Sequence, residues 1–473
     1  MTAEDALRAA GQERLADALL ALDGEERATL EAEVADLDLA LVGRLVRELV
    51  GGGGPAVHGA IAPPPPDALI ALPRTDAERA REDRAREAGE ALLREGRVAA
   101  VLLAGGQGTR LGFEGPKGLY PHGPITGSVL FATHAAKIAA LRARHATGLP
   151  WYVLTSPQND AATRAAFEEA GWYGLEPGSV RFVVQGTLPA VDKDTGDILR
   201  DAPGRLALSP DGHGGLLSAL RASGALDEMS AEGVTTIFTF QVDNPLLPVA
   251  KAEFLGHHAL AGADMSSMVV RKVGPAEKMG VIALVDGRTA VVEYSDLPDE
   301  LAEQTDEAGE LVYWAGSIAV HCIEVDFARR LTDGGLQLPF HRALKKVPHV
   351  DDAGRRVEPD APNAVKFETF LFDALPFADR TVTVEGARED VFSPIKNAEG
   401  SDSPETARRD LNRLHARWLE AAGVTVPRGE DGEPVDVEID PRFALDAEEL
   451  AEVLPLGFRL EGPTVLSPPA ASP

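Results

Sequence analysis

The sequence predicts an α/β protein organised on a mostly parallel sheet. Three observations carry this. From residue 97 to about 350, strand-like apolar runs alternate with helix-like runs, the pattern of β–α–β units. The first strand, Val98–Leu103, is apolar at every position, as a strand covered on both faces must be. Glycines and polar residues gather just after the strands, where α/β sheets hold their ligands.

The N-terminal 50 residues read as helices. Leu7, Leu15, Ala18, Leu19 and Leu22 recur at helical spacing, and so do Leu30, Val34, Leu37, Leu41 and Leu45. Gly24 separates the two runs as a helix end, and the whole reads as an amphipathic packing cap. Residues 51–54 and 63–66, four glycines and four prolines, read as linker. An Ala-, Arg- and Glu-rich helix over 76–95 leads into the first strand. Further strands are expected at 151–155, 180–184, 235–242, 265–270, 281–285 and 291–294. Helices are expected at 129–146, 161–170, 215–223 and 251–261. The segment 191–199, with Asp194-Thr195-Gly196-Asp197 at its tip, reads as a hairpin-like surface insertion. Beyond 405, a helix over 411–422, a strand at Asp-Val-Glu-Ile-Asp (436–440) and a disordered tail from Leu466 to Pro473 are expected. The domain reading is a helical N-terminal region, 1–95, with a Gly/Pro linker at 51–75; a central domain, 96–385; and a small C-terminal domain, 386–473.

The 473 residues carry 75 acids and 46 bases, a net charge of −29. Such a surface repels nucleic acid and anionic membranes, so neither is expected as a partner, and an anionic substrate needs a local cluster of cations. Cys322 is the single cysteine, which excludes an internal disulfide and thiolate metal sites. The N-terminus lacks a signal-peptide pattern and no apolar run reaches membrane-spanning length, so the expected compartment is the cytoplasm.

The stretch richest in chemistry follows the first strand: Ala104-Gly105-Gly106-Gln107-Gly108-Thr109-Arg110. Three glycines in four positions let the chain turn tightly and let a large anion approach without meeting a Cβ. Arg110 and Lys117 supply positive charge close behind. The spacing is neither G-x-x-x-x-G-K-[ST] nor G-x-G-x-x-G, since Leu111 stands where the third glycine of the latter belongs. A phosphate-handling loop is the functional reading; a strand-to-helix turn without a ligand is the structural one.

Other candidates are weaker taken singly. Asp243, after the apolar run ending at Val242, suits a Mg²⁺ ligand at a strand tip or a cap on the following helix. Ser209-Pro210-Asp211-Gly212-His213-Gly214-Gly215 is a second glycine-rich turn that opens a helix, or a plain surface turn. Gln185 offers a donor and an acceptor to a base edge, or to solvent. Glu293 ends a strand, and Trp314-Ala315-Gly316-Ser317-Ile318 is a small-residue segment; carboxylates and hydroxyls at such tips can bind sugar hydroxyls. Lys396, in Phe-Ser-Pro-Ile-Lys-Asn-Ala (392–398), and Lys366, in Asn-Ala-Val-Lys-Phe-Glu (363–368), are lone lysines among apolar and small residues, or solvated ones. The histidines lack metal spacing, and no Ser/His/Asp arrangement marks a hydrolase.

Taken together these segments resemble a known family. LLAGGQGTRLG followed by Pro116-Lys117-Gly118 looks like the signature of eukaryotic-type UTP:sugar-1-phosphate uridylyltransferases, in particular the UDP-N-acetylglucosamine pyrophosphorylases. The likeness continues in order through residues 185–190, 209–216, 242–244, 291–296, 315–319, 362–373 and 392–398. It implies a Rossmann-like (GT-A-like) nucleotidyltransferase central domain between a helical N-terminal cap and a small C-terminal domain. It implies conversion of UTP and a sugar 1-phosphate, N-acetylglucosamine 1-phosphate or a related hexose 1-phosphate, into UDP-sugar and pyrophosphate by in-line attack on the α-phosphorus with Mg²⁺. By that resemblance Gly105, Gly106, Gln185 and Gly212 would hold the uridine, and Arg110 and Lys117 the pyrophosphate end. Asp243 would bind the metal. Gly280, Glu293, Ser317 and His213 would face the sugar, and Lys396 and Lys366 would contact phosphates.

Three positions depart from the N-acetylhexosamine pattern, which has Asn where this chain has His213 and Ser317, and Glu where it has Asp296. The first two belong to the sugar end and leave room for glucose, galactose or another hexose, as in a UDP-glucose/UDP-galactose (broad UDP-sugar) pyrophosphorylase. A different class, a non-catalytic UDP-sugar sensor, would bind uridine without releasing pyrophosphate. The sequence leaves monomer or homo-oligomer undecided.

Overall fold

The computed structural model of the chain describes residues 2–50, 59–65 and 68–469. By internal contacts the chain divides into two units. One comprises Met1–Gly59, Gln185–Ala219 and Gly334–Ala374; the other comprises Ala60–Val184, Leu220–Asp333 and Leu375–Pro473.

The larger unit is built on the expected sheet. Its core strands are β1 (Val98–Leu103), β2 (Trp151–Thr155), β3 (Val180–Val184), β4 (Thr236–Gln241), β5 (Met265–Arg271), β6 (Ala315–Glu324) and β7 (Thr381–Glu385). They lie in the order β7-β5-β6-β4-β1-β2-β3, with Leu69–Ile70 beside β7. Only β6 runs against its neighbours on this path. The chain leaves β1 toward β2 on one side and reaches β4 on the other, a topological switch point. The register Gln241↔Leu103 then sets the ends of β1 and β4 side by side. The glycine loop and Asp243 are therefore neighbours although 138 positions separate Gly105 from Asp243.

Helix α1 (Asp76–Arg94) begins at a Thr75 capping box, satisfying N–H groups that a helix start leaves free. It crosses α3 (Ala252–Ala261) backbone to backbone. A Cβ on Gly89 would lie 1.8 Å from the Ala252 carbonyl oxygen, and one on Gly256 would lie 1.7 Å from that of Ala85. Helix α2 (Leu130–His145) covers the sheet with Phe131, Ile138 and Leu141, against a fully buried core that includes Trp151, Phe167, Phe238 and Phe240. Helix α4 (Pro404–Ala421) starts at the Ser403 cap with proline in its first turn. It packs Ala416 and Leu419 on Val437, Ile439 and Leu450 of a small C-terminal cluster.

The smaller unit holds the N-terminal helices Ala3–Ala9, Glu13–Ala21, Gly24–Ala35 and Leu39–Leu45. Their apolar faces meet Leu188, Val191, Leu206, Val365 and Phe367 from a sheet of His341–Lys345, Ala364–Glu368 and Val191–Asp192 and its neighbouring segments.

The alternation of strands and helices is as expected, with differences at specific points. Gly24 opens the third helix after Asp23 rather than closing the second; its positive φ makes the turn into it. The strand expected at 291–294 is Arg288–Val292, and the helix expected from 411 starts at Pro404 because Ser403 caps it. Ile61–Ala62 and Leu69–Ile70, in the stretch read as linker, are short strands pairing with Val281–Val285 and β7. The linker residues 51–54 and Pro66 lie outside the described residues. In the tail, Leu466 ends a parallel strand with Val437–Ile439, so it is ordered rather than disordered; residues 470–473 lie outside the described residues. Among the described residues no helix is long and apolar enough to cross a membrane.

Candidate functional site

The glycine loop after β1 is closed on itself. Gly108 N–H donates to Gly115 O at 3.0 Å and Lys117 N–H to Gly106 O at 3.1 Å. Asn159, at the start of the helix after β2, braces it: its amide donates to Ala104 O at 2.8 Å and Gly106 O at 3.3 Å, while its carbonyl oxygen accepts from Ser156 N–H. Gly105 is half-buried; Gly106 and Arg110 are exposed at the loop surface. Loop closure leaves Lys117 half-buried, with its Nζ 2.7 Å from Asp243 Oδ2.

Asp243 is fixed from the far side by α2. His134 Nε2 bonds to Val242 O at 3.0 Å, and the Lys137 ammonium donates to Pro245 O and Leu247 O at 2.5 and 2.8 Å. Burial alone pushes Lys137 down to about 7; burial and then the Lys137 charge push His134 down to about 3. The next residue, Asn244, donates to Val391 O at 2.7 Å and accepts from Ser393 N–H at 3.2 Å. Ile395 N–H donates to Asp243 O at 2.8 Å. These bonds seat the segment that carries Lys396, itself exposed with its ammonium 5.5 Å from the Phe392 ring centroid. Arg110, Lys117, Asp243 and Lys396, spread over nearly 290 positions, thus belong to one side of one sheet.

A second group in the same unit brings Gly280, Glu293 and Ser317 together. Ser317 N–H donates to Gly280 O at 2.8 Å. A Cβ on Gly280 would lie 3.1 Å from Glu293 Oε1, so the missing side chain makes room for that carboxylate. Ser317 Oγ accepts from Ala319 N–H at 3.4 Å, where the backbone takes a positive φ of 55° inside β6.

The smaller unit holds the remaining candidates. Gln185 is buried and its amide nitrogen donates to Gly212 O at 2.5 Å. Gly212 sits at φ +86°, a turn that disfavours a side chain, and Thr369 backbone atoms occupy the space a Cβ would need. His213 packs against the rings of Phe370 and Phe372, and its Nδ1 accepts from Leu371 N–H at 3.0 Å. Burial pushes this imidazole down to about 4, so it is neutral at pH 7. Its one proton then sits on Nε2, leaving that nitrogen a donor. Lys366 lies on Ala364–Glu368, half-buried, and burial lowers its pKa.

Sequence reasoning missed the residues that hold these groups: Asn159, Asn244, His134, Lys137 and Thr369. One signal was available. His134 and Lys137 interrupt the apolar face of α2, and polar groups on a buried face need specific partners.

A switch-point sheet with a glycine loop, a strand-tip carboxylate and lysines converging on one edge defines an α/β enzyme of the nucleotidyltransferase kind. The profile of the family described as UTP–glucose-1-phosphate uridylyltransferase matches residues 58–402, and the chain belongs to that family. A UDP-N-acetylhexosamine pyrophosphorylase-like protein 1 of Homo sapiens is 36% identical over 488 residues, covering 97% of this chain and 96% of its own length. A UDP-N-acetylglucosamine diphosphorylase 2 of Arabidopsis thaliana is 35% identical over 462 residues, covering 94% and 89%. The crystal structure of a uridine diphosphate N-acetylglucosamine pyrophosphorylase from Trypanosoma brucei with an inhibitor superposes with a TM-score of 0.81 at 29% identity, covering 96% of this chain and 95% of that one. The chain is accordingly a uridylyltransferase.

Proposed function

We propose that the chain couples UTP to a hexose 1-phosphate, with Arg110, Lys117 and Lys396 acting on phosphates and Asp243 holding Mg²⁺. The observation that carries this reading is the Lys117–Asp243 pair, a cation and an anion meeting at the edge where β1 and β4 end. On this reading Lys117 would pair with the triphosphate and Asp243 would hold its metal, which would neutralise phosphate charge.

The acceptor phosphate is ionised at neutral pH, since a phosphate monoester has its second pKa near about 6, so no general base is required. The demand is alignment of two polyanions and stabilisation of the departing pyrophosphate. Gly105 and Gly106 admit the nucleotide close to the backbone. Arg110 and Lys117 bear on the departing pyrophosphate, and Lys396 and Lys366 on phosphate oxygens. Gln185 and Gly212 hold the base.

The donor set fits Mg²⁺. Asp243 offers a single carboxylate at a strand tip, and among the described residues no group of three or more His, Cys, Asp or Glu is placed to hold a metal. Mg²⁺ commonly takes one or two protein carboxylates and completes its shell with phosphates and water. Bound there, it supplies charge neutralisation to the triphosphate. A reducing compartment, the cytoplasm, suits the lone buried Cys322.

For the sugar, the residues themselves suit a hydroxyl at C2. With Nδ1 of His213 engaged by Leu371, that ring keeps only an N–H donor, and Ser317 carries only a short hydroxyl. An acetamido group asks for a donor and an acceptor together, which one Asn supplies. A second reading, N-acetylglucosamine 1-phosphate, is favoured by the names of the relatives.

The test is pyrophosphate release from UTP with glucose, galactose and N-acetylglucosamine 1-phosphates in parallel. Release with glucose or galactose 1-phosphate at least equal to that with the N-acetyl sugar is expected. Release with the N-acetyl sugar alone selects the second reading, and uridine binding without release selects a sensor.

A further inference from the structure

Asp211 has no role in the function described so far, yet its carboxylate occupies a place cleared for it. A Cβ on Gly186 would lie 2.6 Å from Asp211 Oδ2, and a Cβ on Gly215 would lie 2.0 Å from Oδ1. The backbone of Asp211 is pinned at both ends. Its N–H donates to Gly186 O at 3.1 Å, and its carbonyl accepts from Thr369 N–H and Thr369 Oγ1 at 2.7 and 3.0 Å. Despite this fixation, Oδ1 is buried and has no hydrogen-bond partner. A buried carboxylate oxygen left unsatisfied is costly, and its retention in a two-glycine niche needs a reason.

The reason lies next door. We propose that Asp211 is a positioning residue for base selection: its carboxylate and the Gly212 carbonyl together hold the NH₂ end of the Gln185 side chain and so fix the opposite, Oε1, end toward the base. This rests on the reading that Gln185 contacts the base.

The chemistry follows from the two acceptors. Gln185 Nε2 already donates to Gly212 O. Burial pushes the Asp211 carboxyl up to about 6, with a hydrogen bond from the Gln185 side chain partly offsetting the rise. An amide flanked by acceptors at one end cannot flip without setting oxygen against oxygen. Its Oε1 is therefore a fixed acceptor. Uracil presents an N3–H donor to such an acceptor, whereas cytosine presents an N3 lone pair, which it repels. A site built to pair with one N–H rejects a base lacking it far more strongly than shape alone would.

The experiment is the ratio of kcat/KM for UTP over CTP, at saturating sugar 1-phosphate, in the full-length enzyme and in Asp211→Asn and Gln185→Ala. Asparagine keeps the shape but can turn its own NH₂ toward Gln185, which frees the amide to flip. The expected result for Asp211→Asn is a ratio at least ten-fold lower, carried by a higher KM for UTP, with the KM for sugar 1-phosphate unchanged. A purely structural role would lower both nucleotides equally and leave the ratio intact, which overturns the proposal. A ratio that falls in Gln185→Ala but not in Asp211→Asn keeps Gln185 as the base reader and removes Asp211. A ratio that moves in neither removes both. Should Asp211→Asn fail to fold, Asp211→Ala, which removes the acceptor outright, is held to the same ratio.

Discussion

The edge of the large sheet and the turn at Gly212 solve different problems with different chemistry. At the sheet edge the proposed working groups are charged, and two of them, Lys117 and Asp243, are each other's partners. Around Gly212 the two groups proposed to read substrate are neutral and each meets a backbone partner: Gln185 on Gly212 O, His213 on Leu371 N–H. The first arrangement holds opposite charges in contact at the sheet edge, where the proposed transfer would draw on them. The second keeps orientation, because an amide or imidazole tied to the backbone shows one defined face. Transfer needs exchangeable charge; recognition needs fixed direction.

If that contrast holds, the largest loss comes from the sheet edge. Lys117→Ala is expected to lower kcat by about 10²–10³-fold, or about 3–4 kcal/mol, the scale of removing one donor aimed at transition-state charge. Steady-state pyrophosphate release measures it. A kcat within a few-fold of wild type would remove Lys117 from the transfer step and blur the distinction between the two regions.

Asp243→Asn should follow, and it separates metal from mere pairing. It leaves Lys117 a neutral partner of similar shape, so the fold should persist. Activity is expected to collapse at ordinary Mg²⁺ and to recover only partly at much higher concentrations, because a neutral amide is a poorer Mg²⁺ ligand than a carboxylate. A Mg²⁺ titration identical to wild type would show that the metal sits elsewhere.

Much of this was legible in the chain, and the gaps have physical causes. β1 and the glycine loop were readable because a doubly covered strand is apolar throughout and a phosphate turn needs glycine. β6 was not, although it is ten residues long. Its first half, Ala-Gly-Ser-Ile-Ala, is mostly small residues, and Gly316 sits against the Met279 side chain, so strand propensity gives way to packing. The meeting of Lys117 with Asp243 was also invisible from spacing, since sheet register creates it. Asn159 and Asn244 looked like ordinary loop residues, and only their carbonyl and amide partners across the fold reveal the bracing. The resemblance supplied the candidate roles of Gly280, Glu293 and Ser317; their proximity came from the Ser317–Gly280 bond and the space beside Glu293.

The smallest effect concerns choice of sugar, and it tests whether fixed direction reaches beyond the base. Ser317→Asn adds an amide beside Gly280 and Glu293, on a strand whose backbone already places residue 317 by its own N–H. It supplies a donor and an acceptor together, the pair an acetamido group needs. The expected outcome is a shift of kcat/KM toward N-acetylglucosamine 1-phosphate over glucose 1-phosphate of about ten-fold, the scale of one hydrogen bond of about 1.4 kcal/mol. The KM for UTP should stay where it is, since Ser317 is assigned to the sugar alone. His213→Asn should act in the same sense but cost more overall, because it also gives up the ring packing on Phe370 and Phe372. A sugar ratio unmoved by Ser317→Asn would remove that residue from the choice of sugar.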